Sequence, residues 1–261
     1  MTAREALAEA ERRLAAAGVE TPRVDAEWLV AHLLGTTRSG LAARLDDEVE
    51  GLEPLLLRRE EREPLAYVLG EWGFRRLTLK TDARALVPRP ETETLVERAL
   101  ALAAGFERPR ILDVGVGSGA VALALKDERP DAQVTGVDVS PDALALAREN
   151  AERLGLEVEL RQGDGAAAAG EGWDVVVANP PYVESLEDIQ QELRWEPDVA
   201  LLGSGEHARL ARAADARFVV FEVGDGQAGD VAAMLGGLGC ADVAITADLT
   251  GRARVVEGRL P

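Results

Sequence analysis

Apolar positions along the chain change period twice, near residue 70 and again near residue 110. Over the first stretch they recur at helical spacing. Leu7, Ala10 and Leu14 share one face of a helix that Thr2 and Glu5 open as a capping box and Gly18 closes. Thr21 and Pro22 supply a cap and a first-turn proline for a second helix, with Trp28, Leu29, His32 and Leu33 facing inward. Further helical segments near 38–45 and 51–62 complete a small bundle over residues 1–70. Phe74-Arg75-Arg76-Leu77-Thr78-Leu79 then alternates apolar and polar, predicting a strand or hairpin in a linker at 71–87.

From residue 110 the rhythm is strand, helix, strand. Arg110–Val114 is a short apolar run ending at glycines, followed by a helix at 118–127, a strand at 133–137 and a helix at Pro141–Leu154. Strands at 157–161, Trp173–Ala178 and 217–223 follow, then a helix at 227–238. Strands at 242–247 and 252–257, joined by the turn Asp248-Leu249-Thr250-Gly251, form a closing antiparallel pair. Strands alternating with helices predict an α/β domain over 88–261, with a doubly wound, mostly parallel sheet. Trp195 is expected to pack a loop at 193–197.

Composition narrows the function classes. The chain of 261 residues is 47% hydrophobic, enough for a substantial core. No run approaches the ~20 apolar residues of a membrane span, and the first residues lack the apolar run of a signal peptide. A single cysteine, Cys240, excludes a disulfide framework and a cysteine zinc site and fits a reducing cytoplasm. With two histidines, no metal centre is expected. The net charge of −18 falls mostly after residue 85, where it is −15, which speaks against direct nucleic-acid binding through a broad basic face. Arg75, Arg76, Arg84 and Arg89 form a local basic group that solvates the linker or meets an acidic partner.

Candidate chemistry sits at two strand ends. Asp113-Val114-Gly115-Val116-Gly117-Ser118-Gly119 joins the first strand of the sheet to its helix, where glycines let the backbone approach a ligand. Asp138, ending the second strand, is placed to bind ribose hydroxyls. These features suit either a dinucleotide or S-adenosylmethionine. Asp113 favours the latter, because a carboxylate inside the strand attracts a cationic amino group where dinucleotide folds keep an apolar residue. Asp164 could accept from an adenine amino group, although alone Gly163-Asp164-Gly165 reads as a turn.

The second strand end is Asn179-Pro180-Pro181-Tyr182. Prolines fix the backbone and remove donors, so the Asn179 side-chain oxygen and the Pro180 carbonyl can both face one planar NH2 group. Tyr182 can stack on a flat conjugated group. Two acceptors favour the more tetrahedral nitrogen of a methyl-transfer transition state. The substrates that fit are a glutamine side chain, adenine N6 or cytosine N4. Glu222, inside a late strand, is either near this site or a structural acid.

Together PLAYVLGEWGF (64–74), LVPRPETETLVERAL (86–100), ILDVGVGSGAVALAL (111–125), VANPPYV (177–183), EPDVAL (196–201) and FEVGDGQ (221–227) resemble the PrmC/HemK family. These are the protein-(glutamine-N5) methyltransferases of peptide chain release factors. The resemblance implies a five-helix N-terminal domain that docks the substrate, a hairpin linker and a seven-stranded class I methyltransferase domain. A monomeric, cytoplasmic enzyme without membrane or nucleic-acid contacts is expected, and the resemblance implies that its partners are class I release factors and its target the glutamine of their Gly-Gly-Gln loop. S-adenosyl-L-methionine is the implied cofactor and S-adenosyl-L-homocysteine its product. The implied cofactor residues are Asp113, Gly115, Val116, Gly117, Ser118, Gly119, Asp138, Asp164, Gly165 and Asn179. Asn179, Pro180, Pro181 and Tyr182 hold the glutamine, and Asn179, Pro180 and Tyr182 act catalytically. Arg89-Pro90-Glu91 is implied to lie in a loop near that site. The chain departs from the family at Val116 (commonly Thr), at Gly165 (commonly aromatic) and across 202–210. The competing reading is an adenine-N6 or cytosine-N4 amino methyltransferase of nucleic acids, since the Asn-Pro-Pro-Tyr motif would serve either base.

Overall fold

The computed structural model describes residues 1–181 and 190–261, which divide into two units. The first comprises residues 1–71 and 190–195, and the second takes in the described remainder. Among the described residues no helix is long and apolar enough to cross a membrane.

In the first unit lie α1 (Ala3–Ala16), α2 (Pro22–Leu33), α3 (Leu52–Glu60) and α4 (Leu65–Leu69), with a 3-10 turn at Gly40–Ala43. The capping box opens α1 as expected: Glu5 N–H donates to Thr2 Oγ1 at 3.3 Å, and Thr2 N–H to Glu5 Oε2 at 2.9 Å. The second helix differs from its sequence pattern. Thr21 caps no backbone group; its hydroxyl donates to Asp25 Oδ1 at 2.9 Å. His32 is exposed, and the inward face is Asp25, Ala26, Leu29 and Val30. The reason is a buried ion pair, Asp25 Oδ2 to Arg59 Nε at 2.7 Å, which turns that face toward α3. Glu192, from residues 190–195, also pairs with Arg59 at 2.9 Å and with Arg62 at 2.8 Å. A hidden guanidinium with two carboxylates is tolerated because each charge is answered. Trp195, expected to pack a loop, ends a 3-10 helix at Gln191–Trp195 and is 39% exposed.

The second unit begins inside the hairpin of β1 (Glu71–Phe74) and β2 (Leu77–Lys80), at Trp72. Arg75 takes the left-handed conformation, φ 51°, at its turn. Helix α5 (Thr92–Ala103) leads into β3 (Arg110–Val114), α6 (Ala120–Glu128), β4 (Gln133–Asp138), α7 (Pro141–Leu154) and β5 (Glu159–Gln162). Then come α8 (Gly165–Ala169), β6 (Trp173–Ala178), α9 (Asp198–Leu201), α10 (Glu206–Ala213), β7 (Ala216–Glu222), α11 (Ala228–Gly237), β8 (Ala241–Ala247) and β9 (Ala253–Arg259). The sequence pattern foretold neither α8 nor α10. The all-small Ala166–Ala169 carries no apolar period, and α10 spans only eight residues after Gly203-Ser204-Gly205.

The seven main strands run β5-β4-β3-β6-β7-β9-β8, parallel from β5 to β7, with β9 and β8 antiparallel at the end. Side chains alternate between two cores. Ile111, Val175, Val177 and Val220 pack with α5 and α6, while Leu112, Val176, Val219 and Phe221 pack on the other face with α8, α10 and α11. Burying each such side chain contributes roughly 1.5–3 kcal/mol.

Register fixes what meets at the carboxyl edge. Val114 pairs with Val137 on one side and Ala178 on the other, and Ala178 pairs with Phe221. The residues one step beyond, Asp138, Gly115, Asn179 and Glu222, therefore leave neighbouring strands at one level. The chain turns from β3 toward β4 on one side and β6 on the other, so this level lies at the switch point where open α/β sheets bind ligands. Gly136, inside β4, lets the loop settle there: a Cβ on it would lie 2.5 Å from Val116 Cγ2 and 3.0 Å from Leu160 Cδ2. Gly136→Ala is expected to lower stability to urea by about 1–3 kcal/mol. Gly229→Ala, in α11 with nothing within 4 Å of the added carbon, is expected to raise it by up to about 1 kcal/mol. Equal effects of the two would contradict this packing.

Candidate active site

The turn after β3 is wrapped over the end of β4. Gly115 and Val116 N–H both donate to the Val137 carbonyl, at 2.8 and 3.1 Å. Gly115, Gly117 and Gly119 all have positive φ (76°, 53° and 88°), which side chains other than glycine adopt only at a cost. Asp138 then latches the loop: its Oδ2 accepts from Gly117 N–H and its Oδ1 from Ser140 N–H, both at 2.9 Å.

Asp113 lies beneath the loop, 2% exposed, with Oδ2 accepting from Ala122 N–H at 3.0 Å. Burial pushes its carboxyl up to about 7; the Ala122 N–H works against the shift, and the charge of Asp138 adds to it. Asp164 caps α8, accepting from Ala166 N–H at 2.9 Å, and its other oxygen pairs with Arg209. The Ala166 N–H first, and Arg209 second, hold this carboxyl below the usual range. Gly165 carries no side chain for a spatial reason. A Cβ there would lie 2.2 Å from Val114 Cγ1, so an aromatic ring has no room, and Val139, Leu202 and Leu210 supply apolar cavity wall instead.

Glu196, buried, accepts from Val87 N–H at 3.3 Å and pairs with Arg89, which draws the segment 87–89 to the cavity. Burial raises its carboxyl despite Arg89. Arg75 meets Glu128 and Glu97, Arg76 meets Asp127, and Arg84 meets Asp82 and Glu149. The arginines near the linker are thus answered by acids of this chain rather than presented as a basic face.

These elements enclose a cavity of about 480 Å³, within the range of small-molecule sites. Asp113, Gly115, Val116, Gly117 and Ser118 form one wall. Asp138, Asp164 and Gly165 form a second, and Asn179 and Pro181 a third. Gly119 and Pro180 lie outside the lining; Gly119 opens α6, where a Cβ would meet Leu123 at 2.9 Å, and Pro180 is buried. Tyr182 falls outside the described residues. Pattern reading missed Thr92, Glu196, Arg209 and Leu210 as wall or support. None of them sits at a strand end beside a glycine run, and only the resemblance of their segments to the family could have flagged the first two.

The chain's first part matches the family model for the PrmC N-terminal domain over residues 5–70, and residues 92–207 match the methyltransferase small domain. It is 39% identical to the release factor glutamine methyltransferase of Deinococcus radiodurans over 99% of both chains. The chain belongs to the release factor glutamine methyltransferase family. A second member, from Cereibacter sphaeroides, is 38% identical over 100% of this chain and 99% of its own. Among solved structures, the hMettl16 catalytic domain in complex with MAT2A 3'UTR hairpin 6 is 14% identical. It covers 70% of this chain and 74% of its own with a TM-score of 0.54, a likeness of fold alone.

The family uses S-adenosylmethionine, and the residues present fit it. The glycine loop leaves open space at Gly115, where an added Cβ would meet nothing within 4 Å. The donor set is three carboxylates, Asp113, Asp138 and Asp164, around an otherwise largely apolar cavity. That set suits a ligand with a cationic end, a diol and an amino-bearing aromatic ring.

Asp113 also gives stability a pH dependence. Its folded carboxyl keeps a proton to about pH 7, whereas in the unfolded chain the proton leaves near pH 4. Between those values the folded state binds more protons, so stability falls as pH rises. Relative to wild type, Asp113→Asn is expected to gain on the order of a few kcal/mol between pH 4 and 7. Urea titrations at several pH values measure this, and a difference that stays constant with pH would refute it.

Proposed function

We propose that this family member transfers a methyl group from S-adenosylmethionine to the side-chain nitrogen (N5) of the glutamine in the Gly-Gly-Gln loop of class I peptide chain release factors. The observation that carries this reading is Asn179, set by the Val114–Ala178 register beside the glycine loop and lining the same cavity. Asp138 and the loop 115–119 would hold the ribose side of the cofactor, Asp113 its cationic amino group and Asp164 the adenine. Bound there, S-adenosylmethionine supplies a methyl group on a positively charged sulfur.

The chain's own task is to make a poor nucleophile adequate. A carboxamide nitrogen is planar because its lone pair is delocalised into the carbonyl. Asn179 Oδ1 and the Pro180 carbonyl would accept its two hydrogens, holding the nitrogen in place and favouring the pyramidal geometry in which its lone pair is free. Proline at 180 has no N–H to compete for the second acceptor. The apolar wall of Val87, Pro181 and Leu202 keeps water from the nitrogen. Tyr182, following Pro181 in sequence, would lie against the amide. The net charge supports action on a protein rather than on nucleic acid, and the lone cysteine a cytoplasmic enzyme.

The test is transfer from labelled S-adenosylmethionine to a purified class I release factor, to its Gly-Gly-Gln→Gly-Gly-Asn variant, and to duplex DNA. Label is expected on the wild-type factor alone; label on DNA alone would overturn the reading in favour of base methylation. Asn179→Ala is expected to lower kcat by about 100-fold or more while cofactor affinity stays within about twofold. Asp138→Ala should show the reverse emphasis. Loss of its charged hydrogen bonds weakens cofactor binding by about 10- to 100-fold, measured by calorimetry, and unchanged affinity would remove Asp138 from the cofactor site.

A further inference from the structure

Glu222 ends β7 directly beside Asn179 in the sheet register, 2% exposed, and its Oε2 has no hydrogen-bond partner. It is outside the cavity lining, so it touches neither ligand position. Continuing the alternation of β6 and β7, Asn179 and Glu222 share the face on which α5 packs, and α5 begins with Thr92. Thr92 is buried at 5% exposure, and its Oγ1 accepts from Asn179 Nδ2 at 3.4 Å.

A primary amide has two ends of nearly equal size, one that accepts and one that donates. To receive the hydrogens of a substrate NH2 group, Asn179 must present oxygen to the cavity; flipped, it would set donor against donor. Thr92 cannot decide this alone, because a hydroxyl both donates and accepts. A carboxylate only accepts. Were the single Thr92 hydrogen given to a neighbouring carboxylate, Thr92 would have only lone pairs to offer Asn179, which is the direction its observed contact takes. We infer that Glu222 and Thr92 form a positioning relay, carboxylate to hydroxyl to amide, that sets the Asn179 oxygen toward the substrate.

The relay needs Glu222 ionised, so it is complete only above the value to which burial raises that carboxyl. Burial raises the Glu222 carboxyl to about 7, with Glu91 adding to the shift. Hydrogen bonding from Thr92 comes first among the influences that hold it down, followed by Arg254 and by Asn179. His207, packed edge-on against Phe221, engages the Glu222 backbone carbonyl at 2.8 Å rather than its carboxyl.

The inference rests on the proposed methyl transfer for its consequence and on the apo protein for its geometry, so the experiment has an arm for each. The sequence contains two asparagines, 150 and 179. Protein labelled with 15N only at asparagine therefore gives two side-chain amide signals. Asn150, whose Nδ2 donates to the Lys80 and Ser118 carbonyls, serves as the internal reference. In Thr92→Val and Glu222→Gln the Asn179 NH2 is expected to exchange with solvent about tenfold faster or more, with Asn150 unmoved and Thr92→Ser close to wild type. The same two variants are expected to lose about 10-fold or more in kcat, with cofactor affinity within about twofold and with rescue in Thr92→Ser. A merely structural role would not be rescued by the hydroxyl alone. Unchanged Asn179 exchange in both variants overturns the relay whatever the rates. Faster exchange with unchanged kcat overturns its part in positioning. Absence of transfer by the wild type itself would count against the proposed reaction, while the exchange arm still decides the relay.

Discussion

The site depends on one constraint, the parallel register across β4, β3, β6 and β7. Hydrogen bonding between parallel strands sets neighbours roughly 4.8 Å apart, so residues 138, 115, 179 and 222 are brought side by side although 107 positions separate the first from the last in sequence order. A one-residue slip in any pairing would send each following side chain to the opposite face. The slip is resisted because both faces are buried: Ile111 and Val177 serve one core, Leu112 and Val176 the other. Packing thus holds the chemistry in place, and the glycine loop and the Asn-Pro-Pro turn inherit their alignment from strands that touch no ligand.

Carboxyls recur around this level, Asp113, Glu196 and Glu222 of them buried, and each has a different answer. Asp138 is latched by two backbone N–H groups, Glu196 by Val87 and Arg89, and Asp164 by its helix end and Arg209. Asp113 and Glu222 are less fully answered, and burial raises both to about 7. Keeping such groups costs stability. At positions bordering the cavity and the Asn179 amide, that cost is matched by what a carboxylate can do there: attract a cation, or fix the direction of a hydrogen bond.

Charge elsewhere follows a simpler logic. The chain has an excess of acids, and the arginines around the hairpin and α5 are paired within it, Arg75 with Glu128 and Arg98 with Glu257 among them. Both of these pairs are at least half-buried. Their effect is on recognition, since a basic residue already held by an acid offers less to a phosphate backbone.

The sequence by itself determined the order of elements, the glycine turn, the Asn-Pro-Pro turn and the acid at the end of β4, because these rest on local conformational limits and on periodicities of two and 3.6. The family resemblance lay in the same residues. Helix α8, the inward turn of Asp25 and the exposure of His32 were illegible, since alanine runs carry no period and a buried ion pair overrides an apolar pattern. Only the tertiary structure decided that Gly165 has no room for a ring, that Glu196 ties down residues 87–89, and that Thr92 and Glu222 stand behind Asn179. Those relations join residues 87 and 109 positions apart. They are set by strand register and helix packing, which no local pattern encodes.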